Sequence, residues 1–150
     1  MDFDLLFSAF ATVMLNPTNF FFVFVGITAG IIVGALPGLT ATMGCALLIP
    51  FTFGLPPIQG LLMLIGIFCG GIYGGSISGI LIRTPGTPSA AATLLDEYPL
   101  SQKGMAGKAI GISTIASFVG GTTGAVIMTF LSPQIAKIGL RFGPPEFFAL

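Results

Sequence analysis

The segment Leu36-Pro37-Gly38-Leu39-Thr40 interrupts an uncharged stretch that begins after Asp4 and ends before Arg83. About 20 apolar residues span a bilayer, so a stretch several times longer indicates a membrane protein. Within lipid, a Pro-Gly break is tolerated only where the backbone lies against protein or lines a cavity. Many secondary transporters bind substrate and coupling ion at broken helices near the bilayer midplane. The segment therefore predicts a transporter.

The composition argues against several other classes of function. The chain has 150 residues, of which 54% are hydrophobic and 7% are charged, whereas a soluble domain has about a quarter charged residues. A formal net charge of zero leaves no basic surface for nucleic acid. The absence of His removes the commonest general base and metal ligand. We predict no enzyme, no metal site and no cofactor, and interpret Cys45 and Cys69 as small packing residues.

The apolar segments predict an all-α integral membrane protein, a polytopic helical bundle with broken or re-entrant helices. Residues 19–36, 61–82 and 107–131 are each long enough to span a bilayer. Pro133 is expected to end the third of these helices. Residues 41–53 are too short to cross alone, so we expect a re-entrant half-helix there.

The two ends of the chain are interpreted separately. Residues 1–18 predict an interfacial amino-terminal helix and turn, because their apolar part is too short to span. Residues 19–150 form the predicted transmembrane transporter region. Residues 143–150 have the pattern of a loop that enters another helix, so we expect this region to be a fragment of a longer domain. A short protein with a frayed tail is the alternative.

Glycines recur at two places in the predicted spans. Gly26, Gly30, Gly34 and Gly38 are spaced by four, which places them on one helix face and favours close helix packing. Glycines also crowd residues 66–79, together with Ser76 and Ser78. That second run is predicted to pack tightly, to bend or to unwind.

A second Pro-Gly break, Thr84-Pro85-Gly86-Thr87-Pro88-Ser89, shares its composition with the first. Thr87 is predicted to cap a short helix over residues 88–95, which should stop before Pro99. Helix amino termini bind carboxylates through free N–H groups and a partial positive charge. Hydroxyl groups that can add hydrogen bonds, or coordinate a cation such as Na⁺, belong to Thr40, Thr42, Thr87, Ser89 and Thr93. Ordinary turn chemistry is the alternative reading of both breaks.

Charged residues near the second break have two interpretations. Arg83 either pairs with a substrate carboxylate or anchors a helix end by extending its charge to the interface, and we favour the anchor. Asp96 and Glu97, beside Tyr98-Pro99, indicate a solvated turn. Lysines and arginines flank residues 107–131 on both sides, so the sequence leaves the membrane orientation unassigned.

Four linked motifs resemble the large membrane subunit of the tripartite tricarboxylate transporters, the TctA-like family. They are residues 30–39 (GIIVGALPGL), 46–52 (ALLIPFT), 73–78 (YGGSIS) and 84–93 (TPGTPSAAAT). Residues 96–99 and the pattern around residues 142–147 match further. The resemblance covers nearly the whole chain from about residue 18, and its specificity comes from the order of the motifs.

The resemblance implies one half of an inverted-repeat permease in the bacterial inner membrane, importing citrate or related carboxylates with an ion gradient. It implies two partners, a small membrane subunit (TctB-like) and a periplasmic solute-binding protein (TctC-like). The site residues carried over for substrate are Pro37, Gly38, Thr40, Ser76, Ser78, Pro85, Gly86, Thr87, Ser89 and Thr93. Those for a co-transported cation, Na⁺ or H⁺, are Thr40 and Thr42.

Two other function classes are weighed against the carrier. A non-transporting membrane scaffold would not need polar residues at the breaks, because lipid makes such residues costly. An intramembrane enzyme is disfavoured, because the chain lacks His and residues 74–79 (GGSISG) lack the order of a nucleophile elbow.

Overall fold

The computed structural model describes residues 3–139, and every regular element in that range is helical. The α-helices within residues 3–139 are α1 (Phe3–Met14), α2 (Pro17–Ala35), α3 (Ala41–Thr52), α4 (Pro57–Ile82), α5 (Thr93–Leu100) and α6 (Ala106–Gly139). A 3₁₀ turn covers Pro88–Ala91, and a π-helical turn covers Ser101–Met105. Arg141 and the 143–150 segment lie outside the described residues.

Among the described residues, three stretches are long and apolar enough to cross a membrane: Pro17–Ala35, Pro57–Ile82 and Thr93–Ala136. The all-α membrane fold is therefore confirmed. α3 has only 12 residues, about 18 Å of helix against a hydrocarbon core of about 30 Å. The chain divides into two units, Met1–Ile112 and Ser113–Leu150. Along residues 114–136 of the second unit, the side chains of α6 are exposed.

Side-chain caps set the starts of α2 and α3. The side chain of Asn16 accepts a hydrogen bond from the backbone N–H of Thr18, and Pro17 occupies the first turn of α2. Thr40 caps α3 in the same way, since its Oγ1 accepts from the N–H of Met43 at 3.2 Å. α3 therefore begins directly after the first Pro-Gly break, as the sequence predicts.

Two prolines were wrongly expected to end helices. Pro133 lies inside α6, which continues to Gly139. A proline within a membrane helix is tolerated because local adjustments satisfy the carbonyl group that it leaves free. Pro99 lies inside α5, directly before the π-helical turn, where the hydrogen-bond pattern already changes. The real interruption is Gly104, which has φ of 77°.

The predicted helix over residues 88–95 is also corrected. A 3₁₀ turn at Pro88–Ala91 is followed by α5, which runs from Thr93 to Leu100. Asp96 and Glu97 therefore lie within α5 rather than in a turn, with Asp96 exposed and Glu97 half-buried.

Candidate functional site

α2 and α4 run parallel and pack backbone to backbone. Gly26 contacts the backbone of Met63, Gly30 that of Ile67, and Gly34 that of Gly71. A Cβ atom on any of these three glycines would overlap a carbonyl of α4, so only glycine allows this approach. The predicted packing face is confirmed for Gly26, Gly30 and Gly34.

Gly38 does not belong to that face. It is exposed, has φ of 93°, and among the described residues no atom beyond its chain neighbours lies within 4 Å of the position that a Cβ would occupy. Its role is conformational, because L-residues rarely adopt this backbone geometry. The four-residue spacing continues in sequence past Leu36, but the helix has already ended at Ala35.

α3 returns antiparallel along α4. Ala41 lies against Gly71, Gly44 against Ile67, and the Cys45 thiol lies 3.7 Å from the carbonyl oxygen of Leu64. Gly71 is the fifteenth residue of α4, about 21 Å from the start of that helix. The amino terminus of α3 therefore lies beside the middle of α4 rather than beside either end.

The second break folds back onto the same part of α4. The N–H of Gly86 donates to the carbonyl of Gly75 at 3.3 Å, and the Ser78 hydroxyl donates to the same carbonyl at 3.1 Å. Thr87 is so close that a Cβ on Gly75 would lie 2.7 Å from Thr87 Oγ1. The Gly75 carbonyl thus joins α4 to the second break.

The two breaks meet one helical turn apart. The first is held at Gly71 through Ala41, and the second at Gly75 through Gly86 and Thr87. Four residues of helix rise about 6 Å. Gly34, in the last turn of α2, contacts both Gly71 and Gly86. We call this region, from Gly71 to Gly75 of α4 with the two breaks, the break junction.

The residues predicted to bind substrate or cation differ in burial. Four are buried, namely Ser76, Ser78, Gly86 and Thr87. Three are half-buried, namely Thr40, Pro85 and Thr93, and four are exposed, namely Pro37, Gly38, Thr42 and Ser89. The structure brings Ser78, Gly86, Thr87 and Ser89 together around Gly75. Thr93 lies one turn further along, beside Gly79, and Thr40 caps α3 at the level of Gly71.

Most hydroxyl groups at the junction already have partners. Thr87 occupies the position before the 3₁₀ turn, as predicted, but its side chain makes no capping hydrogen bond. Its Oγ1 instead lies 3.1 Å from Ser89 Oγ. The Thr93 hydroxyl donates to the Ala90 carbonyl at 2.6 Å. Hydroxyls that donate to the protein keep lone pairs, so oxygen ligands for a cation remain.

None of the described side chains that meet at the junction carries a charge. An anion there would interact with backbone N–H groups, with hydroxyls and with the partial positive charge at the start of α3. The sequence predicts both breaks, but it does not reveal that Gly34, Gly71 and Gly75 hold them together. The signal was present in the glycine run of α4, although spacing alone does not reveal which partner each glycine contacts.

Arg83 lies outside this cluster, at the end of α4. Its backbone is left-handed, with φ of 58° and ψ of 23°. Its guanidinium carbon lies 5.5 Å from the centre of the Tyr98 ring, within the range of a cation–π interaction. Arg83 therefore joins the end of α4 to α5.

Residues 20–150 match the model of the Tripartite tricarboxylate transporter TctA family. A curated relative from Agrobacterium vitis, described as an uncharacterized 52.8 kDa protein in the TAR-I ttuC' 3' region, is 42% identical over 136 residues. The matched region covers 91% of this chain and 27% of the relative, so the chain spans about a quarter of that protein's length. No solved structure matches.

Proposed function

Because the chain belongs to the tripartite tricarboxylate transporter TctA family, we propose that it forms part of a permease that imports citrate or related carboxylates. The permease works in the bacterial inner membrane with a small membrane subunit and a periplasmic solute-binding protein. Import proceeds by alternating access and is coupled to a cation. The family supplies the broad class of function, and the break junction supports the location of the site.

The single observation that carries this proposal is the meeting of both breaks beside the middle of α4. Lipid tolerates irregular backbone only where it is covered by protein or lines a cavity. Here the first break is anchored at Gly71 and the second at Gly75. Transporters place binding sites at such discontinuous helices, because the freed helix ends offer N–H groups and carbonyls to a ligand.

The chemistry of the junction fits an anion that moves with a cation. The start of α3 and the hydroxyls of Thr87 and Ser89 offer donors to a carboxylate. Thr40 and Thr42 supply oxygen atoms for the cation. A polycarboxylate needs compensating positive charge to cross lipid, and no lysine or arginine lies between Asp4 and Arg83 to provide it. Na⁺ suits these ligands better than H⁺, because no carboxylate lies in that stretch to carry a proton.

In this proposal the chain supplies part of one half of an inverted-repeat permease, since it spans about a quarter of its relative's length. The second half would supply the opposite wall of the site, and rocking of one half against the other would expose the site to each side in turn. Pro37, Gly38 and Thr42 are exposed in the present structure. We place them on the side of the first break that faces the bound substrate.

The test is uptake of labelled citrate and smaller dicarboxylates into proteoliposomes. The full-length permease is reconstituted with its small subunit and binding protein, with and without an inward Na⁺ gradient. Thr87→Val removes a buried hydroxyl without changing side-chain shape, and its matched control is Thr122→Val, an exposed threonine on α6.

We expect gradient-dependent uptake that Thr87→Val reduces about tenfold, the effect of losing one hydrogen bond to a charged group. Thr122→Val should retain uptake. Uptake of no carboxylate by an assembled complex would refute the substrate class and favour a non-transporting scaffold. Equal uptake by the wild type and Thr87→Val would mean that the Thr87 hydroxyl does not bind the substrate.

A further inference from the structure

The end of α4 carries a cavity separate from the break junction. Its volume is about 510 Å³, and it is open to the outside. Two cationic side chains line it, Arg83 and Lys103, together with Tyr98 and Gln102. The described lining includes no carboxylate. The rest of the wall is apolar and includes Leu94 and Leu95.

The backbone of Arg83 and its guanidinium group are both held in place beside this cavity. The backbone of Arg83 is left-handed, an uncommon conformation for a residue other than glycine, and its N–H donates to the Gly79 carbonyl at 3.1 Å. The guanidinium then lies over the Tyr98 ring at 5.5 Å. A cation that is already ordered loses less conformational entropy when it binds a ligand.

The position of the cavity along α4 indicates which anion reaches it. Arg83 directly follows a 26-residue apolar helix that is long enough to span the bilayer. Arginine, lysine and tyrosine at such helix ends lie at the level of the lipid headgroups. Beside the two cations, the Leu95 side chain is 78% exposed. Charge and apolar surface are therefore adjacent, as in an anionic phospholipid.

We propose that this cavity binds the phosphate group of an anionic phospholipid. Arg83 and Lys103 donate hydrogen bonds to phosphate oxygens, and Leu94 and Leu95 contact the start of an acyl chain. The planar guanidinium matches two phosphate oxygens at once, whereas lysine acts as a single point of charge. Basic pockets between membrane helices bind lipid headgroups by this chemistry. The site is independent of carboxylate transport.

The test measures phosphatidylglycerol bound to the full-length permease by native mass spectrometry, with phosphatidylcholine as the neutral comparison. The variants are Arg83→Asn and Lys103→Gln. Asn tolerates the left-handed backbone, so the first variant removes charge with little strain. The matched control is Lys108→Gln, which removes an exposed lysine that does not line the cavity.

We expect each cavity variant to bind phosphatidylglycerol about tenfold more weakly than the wild type, as for the loss of one charged hydrogen bond. Lys108→Gln should bind it normally, and phosphatidylcholine should bind weakly throughout. Three outcomes would overturn the proposal: unchanged affinity in both cavity variants, an equal loss in Lys108→Gln, or displacement of the lipid by free citrate or inorganic phosphate. The last would assign the cavity to a small anion.

Lys103 is exposed in a turn, so its variant tests the site even if Arg83→Asn fails to fold.

Discussion

The carbonyl oxygen of Gly34 occupies the place where a side chain on Gly86 would begin. Gly34 lies in the last turn of α2, and Gly86 lies in the second break, so two segments far apart in sequence meet without any side chain between them. The Cα of Gly75 lies 2.9 Å from the same position. At Gly86 the second break therefore contacts both α2 and α4 backbone to backbone.

Gly86→Ala should displace the second break. The added methyl group would meet backbone atoms, which move only with their helices, and overpacking of this kind costs about 2 kcal/mol of folding stability. We expect a lower midpoint of thermal unfolding in detergent and a loss of carboxylate uptake. Both are measured on the full-length permease.

Gly111→Ala is the matched control for that substitution. Gly111 lies within α6, and among the described residues no atom beyond its chain neighbours and the adjacent backbone of α6 lies within 4 Å of the position of a Cβ. Alanine is favoured over glycine inside a helix by about 0.5–1 kcal/mol, so the control should be neutral or stabilising. If the two variants unfold at the same temperature, Gly86 does not make the contact described.

The sequence was sufficient to predict α2, α3 and α4 and the packing face formed by Gly26, Gly30 and Gly34. Asn16, Thr40 and the Pro-Gly pairs carry local signals, because caps and turns depend on a few neighbouring residues. The partners of Gly71 and Gly75 could not be predicted in this way. Each contacts a segment that reaches it through tertiary packing, which the spacing within one helix does not encode. Pro133 was wrongly expected to end a helix, because local adjustments in a membrane helix can satisfy the carbonyl group that a proline leaves free.

Thr40→Val should weaken the start of α3. The change keeps the side-chain shape but removes the oxygen that accepts a hydrogen bond from Met43, and loss of such a cap costs about 1 kcal/mol. If Thr40 also coordinates the cation, the Na⁺ concentration needed for half-maximal uptake should rise. Thr40→Ser, which retains the oxygen, should behave as the wild type. If Thr40→Val lowers folding stability but leaves the Na⁺ dependence of uptake unchanged, Thr40 caps α3 and does not coordinate the cation.

Asn19→Leu should detach the amino-terminal helix. Asn19 is 4% exposed, and its amide group donates to the carbonyls of Val13 at 3.1 Å and Thr12 at 3.4 Å. Its replacement leaves those carbonyls without this donor and removes the tie between α1 and α2, at a cost of about 1–3 kcal/mol. We expect faster proteolysis within α1 in detergent.

The control is Thr12→Val, which removes only an exposed hydroxyl group whose hydrogen bond lies within α1. Equal proteolysis of the two variants would contradict this role for Asn19.

The return of α3 along α2 can be tested by a disulfide. A Cβ on Gly44 would lie 3.6 Å from the Cβ of Val33, within the range of about 3.5–4.5 Å that a disulfide requires. In a background where Cys45 and Cys69 are replaced by alanine, the pair Gly44→Cys and Val33→Cys should cross-link on mild oxidation. Protease cleavage in the loop between α2 and α3 should then leave the fragments joined until a reductant is added.

The control pair joins Gly44→Cys to Ile32→Cys. Ile32 precedes Val33 on α2 but is 60% exposed, because its side chain points to another face of the helix. If α3 folded away from α2 and crossed the membrane as a separate span, neither pair would cross-link. If α3 packed loosely in several registers, both pairs would. Selective cross-linking of Val33 requires that the chain reverse at Leu36-Pro37-Gly38-Leu39-Thr40, which is the geometry that brings the amino terminus of α3 to the middle of α4.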